Sequence, residues 1–296
     1  MSSARALFLG RTTLDALYWL EQFPDEDTKG YASAFHVAPG GPALNAAITH
    51  ALLGGKALLI SAVGGGPWAV PLRAELERHE IDLVDLAAGT GYETTLSTVL
   101  VNGANGSRTV VNPPLVKVDL RRFTRGWEQE LQAAWGDVPR VLLTDGFFFE
   151  ETAPLLRSLR DAGTALCLDG GSWKPGTGEL AGMLTAAVCS ERFRVPGEDG
   201  DAESIFRFFA AKGVPFIAVT RGARPILGWE RGRRFEVEIE PIAAKDTLGA
   251  GDVLHGAFCH FFALDREFEP ALRRAAEVAT RSCQHLGTQA WAELVR

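Results

Sequence analysis

Short apolar runs that stop at Gly or Asp alternate along this chain with longer segments of helical period. No other feature restricts the fold so strongly. The strand-like runs are Ala6–Gly10, Ala57–Val63, Arg140–Asp145, Thr164–Asp169, Ala186–Ser190 and Pro215–Thr220. The helical segments are Pro42–Leu53, Pro67–His79, Glu150–Ala162, Asp201–Lys212, Ala250–Phe262 and Pro270–His285. Alternation of this kind predicts an α/β fold with a mostly parallel sheet and helices on both faces. In such sheets ligands gather beyond the carboxyl ends of the strands.

Two segments depart from the alternation. Thr28–Gly41 and Tyr92–Asn112 are extended, rich in Thr and Val, and the second carries Asn-Gly turn signals. A hairpin is expected around Asn102–Gly106, and the two segments together predict a small β element projecting from the main sheet as a lid, drawn from about 11–39 and 90–115. A third antiparallel set, PILGWERGRRFEVEIE, follows the run Pro215–Thr220 and should extend one sheet edge. With 296 residues, no repeats and no linker, the expectation is one domain over 1–296.

Charge and cysteine usage narrow the partners. Asp and Glu total 37 against 30 Lys and Arg, a net charge of -7, which argues against a nucleic-acid partner. An acidic protein still binds anions where local backbone amides point at them. Cys167, Cys189, Cys259 and Cys283 are widely spaced in apolar surroundings and read as reduced core thiols. The first residues lack the apolar length of a signal peptide, and no run of about 18 apolar residues suggests a membrane span. These features lead to the expectation of a soluble, cytoplasmic protein.

The chemistry concentrates in DTLGAGDVLHGAF, Asp246–Phe258. Leu254, Phe258, Phe261 and Phe262 share a helical face, so a helix begins near Gly249 or Ala250. Its first amides lack intrahelical partners and carry the positive end of the dipole. With Gly249, Ala250 and Gly251 there, an anion reaches bare amides, as in an anion hole for charge that develops during group transfer. Asp252, in the first turn, then points its carboxylate at the same place, which suits a general base deprotonating a hydroxyl that attacks a phosphoryl group. A plain Gly-containing turn with a helix-capping Asp fits the stretch equally well when it is read alone. Neither the dinucleotide fingerprint nor the P-loop pattern is met, because Leu254 stands where the third Gly belongs and no Gly-Lys-Ser/Thr occurs.

A second glycine-rich element, APGGPALNAAITHALLGG (Ala38–Gly55), puts Gly40 and Gly41 at another helix start with Asn45 one turn in. Together the two elements resemble the signatures of the ribokinase, or PfkB-type, family of sugar and nucleoside kinases, and Asp-Thr-x-Gly-Ala-Gly-Asp is met without a mismatch. That resemblance implies a ribokinase-like three-layer α/β/α fold with a β lid and ATP and Mg²⁺ as cofactors, with a monovalent cation such as K⁺ as a further expectation. It implies that Asp252 activates the acceptor hydroxyl and that Gly249, Ala250 and Gly251 stabilise the transferred γ-phosphoryl. Asp246 then stands near the metal–phosphate or monovalent-cation region. Asp15, Gly40, Gly41 and Asn45 would contact the sugar; a turn-capping surface Asp is the plain alternative for Asp15. Thr220 and Gly222, in VTRGARP, would contact the nucleotide, and the adenine pocket is expected around Ala276–Gly287. Arg108, on the lid, either reaches the phosphates or an anionic substrate or is a solvated strand residue.

The chain also departs from the family pattern. Many members carry Asn-x-x-Glu to organise Mg²⁺ through water, whereas CSERF here has Ser190 at the Asn position and Phe193 at the Glu position. Glu191 is the substitute, or the metal is held mainly by ATP phosphates and water. Pro42 replaces a polar sugar contact of some ketose kinases. The elements NGSRTVV, DTLGAGD and CQHLG look most like ketohexokinases, while LDALYWLEQFPDEDTKGY and GGPA look more like sulfofructose kinases. Both imply a small ketose or modified ketose, with Arg108 or Lys29 available for an anionic group; ribose, nucleoside and other branches stay open. Pairing of two copies through the lid strands is a further expectation of the resemblance. The alternatives from other classes are a sugar sensor without turnover, supported by the altered Asn-x-x-Glu, and a metal enzyme built on His255, Cys259 and His260. The latter lacks a further ligand in sequence. A serine hydrolase is disfavoured by the absence of Gly-x-Ser-x-Gly.

Overall fold

The computed structural model describes residues 4–103, 107–114, 119–120, 131, 135–136 and 138–294. Its main sheet has nine described strands. They are β1 (Arg5–Leu9), β4 (Lys56–Ser61), β5 (Asp82–Asp85), β8 (Val141–Thr144), β9 (Ala165–Gly170), β10 (Ala186–Ser190), β11 (Phe216–Arg221), β12 (Arg224–Glu230) and β13 (Arg233–Val237), in the spatial order β13-β12-β11-β10-β9-β8-β1-β4-β5. All neighbours pair in parallel except β11–β12 and β12–β13. The antiparallel edge is the one expected from PILGWERGRRFEVEIE. β5 was not foreseen: its four residues are too few and too polar to register as a strand.

The chain leaves β1 first toward β4 and later toward β8, so the winding reverses between β1 and β8. That topological switch point opens a crevice beyond the strand ends. Gly10 and Asp145 stand there, just past β1 and β8, and a Cβ on Gly10 would overlap the Asp145 carboxyl group. Alternate strand residues feed two cores. Ala6 and Phe8 face a layer made by α1 (Pro42–Leu52), α2 (Ala69–Arg78), α6 (Ala250–Asp265) and α7 (Phe268–Ser282). Leu7 and Leu9 face a layer made by α3 (Phe149–Asp161), α4 (Thr177–Leu180) and α5 (Ala202–Ala211). The result is the three-layer α/β/α arrangement implied by the alternation.

A second sheet has the order β3-β2-β6-β7, from β3 (Ala34–Gly40), β2 (Thr13–Leu20), β6 (Leu96–Asn102) and β7 (Arg108–Val111). β2 pairs in parallel with β6; the other two pairings are antiparallel. Val101 pairs with Arg108 across the hairpin, whose residues 104–106 lie outside the described residues. The strand in Thr28–Gly41 is confined to the seven residues Ala34–Gly40. Leu17, Val99 and Val101 form the buried side of this sheet, and Leu248 packs against them.

α6 decides where the stretch Asp246–Phe258 sits. From Val253 to Ala263 every residue is buried, so this helix runs through the core with its N-terminus at the crevice. It crosses α1 at Gly256, where a Cβ would overlap the Ala46 carbonyl and lie 2.7 Å from the Thr49 Cβ. Gly256→Ala is therefore expected to cost about 1–3 kcal/mol by forcing the helices apart. In urea unfolding the midpoint should fall while the slope stays constant; an unshifted midpoint would contradict this close crossing.

Candidate active site

Helix α6 starts at Gly249, which adopts φ 66° and caps it without a side-chain hydrogen bond. A Cβ there would overlap the Thr288 methyl group, so both conformation and space call for glycine. The Ala250 amide makes only a long contact, 3.4 Å, to the Thr247 carbonyl, and among the described residues the amides of Gly251 and Asp252 find no acceptor. Gly251 is exposed, with open space where a side chain would stand. Bare amides at the positive end of a sixteen-residue buried helix can receive an anion.

Asp252 lies in that first turn. Its Oδ2 accepts a hydrogen bond of 2.7 Å from the Asn45 side-chain amide, carried by α1 after Gly40 and Gly41. Asn45 is buried, and its own Oδ1 is without a protein partner among the described residues, leaving one acceptor free for a ligand. Burial raises the Asp252 carboxyl to about 6, the nearby Asp169 adds to the rise, and Asn45, His255 and Arg108 oppose it. A carboxylate poised near neutrality, beside an anion cradle, has the properties of a general base.

Asp15, on β2, accepts from the Thr13 hydroxyl at 2.7 Å, and burial raises its pKa against the lowering effect of Thr13, Ser97 and Arg11. Gly40, which pairs with Thr13 across β2 and β3, comes so close that a Cβ would overlap the Asp15 carboxylate. Arg108 comes from β7 and donates to the Thr247 carbonyl at 3.1 Å, tying the second sheet to the loop that leads into α6. The expected Asp15, Gly40, Gly41, Asn45, Arg108, Gly249, Ala250, Gly251 and Asp252 thus belong to one connected site. Lys29 lies on the exposed connection between β2 and β3.

Other expected residues form neighbouring structures. Asp246 is buried, with Oδ1 accepting from the Leu248 amide at 2.8 Å and Oδ2 from the Gly287 amide at 2.9 Å. It braces the catalytic loop against the segment after α7. Thr220 is the last residue but one of β11, with its hydroxyl 3.4 Å from the Cys189 carbonyl, and Gly222 makes the left-handed turn into β12 at φ 63°. The Glu191 carboxylate is ion-paired with Arg224, and Phe193 is fully buried, so the Asn-x-x-Glu position supplies no carboxylate of its own. Among the described residues no cluster of three His, Cys, Asp or Glu could hold a metal. This donor set suits a cation that arrives on nucleotide phosphates and keeps its waters.

His255, Cys259 and His260 do not converge on a metal. Cys259 is buried beside Cys167, and His260 meets the buried His50 edge-on at 5.1 Å between ring centroids. His255 instead faces the Gly251 carbonyl at 2.7 Å through Nδ1 and the Val188 carbonyl at 3.0 Å through Nε2. It fastens the first turn of α6 to β10. Between β13 and α7 runs a groove of about 840 Å³ lined by Val237–Ile242 together with Ala276, Thr280 and Gln284. It overlaps the segment expected to hold adenine. The Lys245 and Asp246 amides both donate to the Cys283 carbonyl, which ties the loop before α6 to the end of α7.

Sequence reading overlooked Asp145, Asp169 and Leu248. Asp145 accepts from the amides of Arg11 and Phe147 at 2.7 and 2.9 Å, and burial raises it to about 7. Asp169 lies 3.5 Å from His255. A signal for both was present, since each closes an apolar strand run at the carboxyl end of the sheet. Leu248 gave none, because its role depends on the second sheet folding over it.

Residues 4–120 and 190–293 match the model of the pfkB family carbohydrate kinases. The deoxyribokinase of Salmonella typhi is 25% identical over 304 residues, covering 95% of this chain and 93% of that protein. The ketohexokinase of Mus musculus is 29% identical over 133 residues, covering 42% of this chain and 45% of its own. The ribokinase of Arabidopsis thaliana, solved with ribose and ATP, superposes with a TM-score of 0.74 at 17% identity, covering 100% of this chain and 99% of that one. Fold and site define an ATP-dependent carbohydrate kinase of ribokinase-like architecture. The chain belongs to the pfkB family.

The raised Asp252 pKa has two consequences. Activity, as kcat/KM, should climb as pH passes through about 6, and Asn45→Leu, which removes a hydrogen bond to the charged form, should move that limb to higher pH. An unmoved limb would detach Asp252 from the profile. Because the folded-state pKa of about 6 lies above the unfolded value of 3.8, ionisation of Asp252 opposes folding by an amount that grows between those two pH values and is complete above the higher one. Asp252→Asn should accordingly raise Tm at pH 8 and lose most of that advantage at pH 4.5; an equal effect at both pH values would contradict the charge argument.

Proposed function

We propose that the chain transfers the γ-phosphoryl of ATP to a hydroxyl of a small ketose or modified ketose. Asp252 takes the proton of the attacking hydroxyl, and the amides of Gly249, Ala250 and Gly251 receive the charge of the transferred group. The observation that carries this reading is the Asp252 carboxylate, tethered to Asn45 at 2.7 Å and set beside unpartnered helix amides. Asp15, Gly40, Gly41 and Asn45 bind the sugar, with Gly40 there because the backbone must approach Asp15. The nucleotide lies along the groove between β13 and α7, its phosphates toward α6, with Thr220 and Gly222 at its flank. Mg²⁺, when bound, neutralises phosphate charge; Glu191, engaged with Arg224, contributes at most through water. A monovalent cation belongs to the same proposal, near the loop that Asp246 braces.

In this reading the second sheet is the lid over one domain. Arg108 and Leu248 support it, since both tie the sheet to the catalytic loop. Exposed Phe35, Val37, Val110 and Val111 on its outer strands support pairing with a second copy. The match to a deoxyribokinase over nearly the whole chain supports a second reading, a pentose acceptor, in the same site.

ADP release from Mg·ATP, measured with a panel of ketoses, pentoses, nucleosides and sugar acids, separates these readings. Turnover is expected with a ketose at least tenfold above any pentose or nucleoside in kcat/KM. A pentose or nucleoside preferred by that margin would replace the ketose assignment, and ligand binding without turnover of any acceptor would support the sensor reading.

A further inference from the structure

Two cations at the crevice have no part in the transfer chemistry described above. Arg11 follows β1 and Lys174 follows β9, on either side of the switch point. Both lie over the ring of Phe147, with the Arg11 guanidinium carbon 5.6 Å and the Lys174 ammonium 4.9 Å from its centroid. Each is half-buried, and neither forms an ion pair among the described residues. The Lys174 ammonium holds itself in place through the carbonyl and hydroxyl of Ser172, at 2.9 and 2.7 Å. Phe148, the next residue after Phe147, is held at φ 61°. A bulky residue rarely adopts that conformation, and such strain tends to persist at functional sites.

The two cations are joined to the acceptor site by two routes. On one side the Arg11 guanidinium reaches the Asn112 side-chain oxygen at 3.4 Å, the Ser97 hydroxyl donates to the same oxygen at 2.7 Å, and Ser97 also bonds Asp15. On the other side Lys174 lies within electrostatic reach of Asp145 and Asp169, and Asp169 acts on Asp252. Arg11 is thus linked through Asn112 and Ser97 to Asp15 on one side of the crevice, and Lys174 through Asp169 to Asp252, the partner of Asn45, on the other.

Arg11 and Lys174 make no ion pair among the described residues, although Asp145 and Asp169 act on Lys174 from a distance and oppose the effect of burial. Burial, with Arg11 adding to it, holds Lys174 below the usual lysine range. Asp145, the nearest counter-charge, spends its oxygens on two backbone amides and titrates near 7. Two cations kept close together without a carboxylate partner are better satisfied by a ligand that brings one. A guanidinium offers a planar fork and an ammonium a point charge, which together suit an oxyanion.

Building on the kinase reading, we propose that Arg11 and Lys174 form a subsite for an anionic substituent at the end of the sugar remote from the hydroxyl that Asp252 deprotonates. The acceptor is then an acidic sugar, bearing a carboxylate, sulfonate or phosphate. Arg108 is not part of this subsite, since it is committed to the Thr247 carbonyl beside the phosphoryl end.

The test is ADP release by the full chain with Mg·ATP and matched ketoses: fructose, and the same skeleton carrying a carboxylate, a sulfonate or a phosphate at C6. At least one anionic member should exceed fructose in kcat/KM by about 100-fold. Arg11→Gln and Lys174→Met should each reduce that ratio tenfold or more, mainly through KM, and Lys174→Arg should restore most of it. Fructose used as well as every anionic member would overturn the subsite, as would variants that depress all substrates alike. Calorimetry with the same sugars and no ATP separates the two layers. An anionic sugar bound by the wild type, lost in Arg11→Gln and never phosphorylated would keep the subsite and sink the kinase reading.

Discussion

The hydrogen bond from Asn45 to Asp252 joins two helices that are 207 residues apart in sequence, and the rest of the site depends on it. It exists only because α6 passes close enough to α1 for a glycine to touch the backbone of Ala46. That approach sets the bare amides of the α6 N-terminus beside a buried amide side chain and a carboxylate. Second-sheet residues complete the arrangement: Arg108 holds the loop before α6 by a carbonyl, and Leu248 fills the underside of the sheet. The second sheet and the N-terminus of α6 are therefore tied together through that one loop.

The electrostatics of the crevice follow from its place at the switch point. Asp145, Asp169 and Asp252 approach one another at the strand ends, and burial with mutual repulsion pushes Asp145 to about 7 and Asp252 to about 6. Such an arrangement opposes folding in exchange for a base of useful strength near neutrality. The helix dipole, Asn45 and His255 limit the penalty, and the cations Arg11, Lys174 and Arg108 surround it. The overall charge of -7 gives no hint of this local basic rim.

Much of this was legible in the chain. Short continuous apolar runs and period-3.6 patterns locate the parallel strands and the long helices, since burial on both faces of a sheet leaves runs such as RALFL and KALLIS. Asp252, Gly249–Gly251, Asn45 and Asp15 stand out through the spacing of small residues and acids. What could not be read depends on contacts across the fold. Leu248 looks like any core leucine until the second sheet covers it. Glu191 looks available for a metal until Arg224 arrives from β12. Lys174 and Arg11 are 163 residues apart and meet only over Phe147. β5 is too short, and too dependent on its neighbour β4, for its four residues to announce a strand.

The central claim is that Asp252 acts in the chemical step and not in holding the ligands. Rapid-quench single turnover, with acceptor and Mg·ATP saturating, isolates that step from binding and product release. For Asp252→Asn the account expects phosphoryl transfer slowed by about 10²–10⁴-fold, with acceptor and nucleotide affinities within a few fold of wild type. Transfer at the wild-type rate, or a loss that disappears at higher ligand concentration, would contradict it.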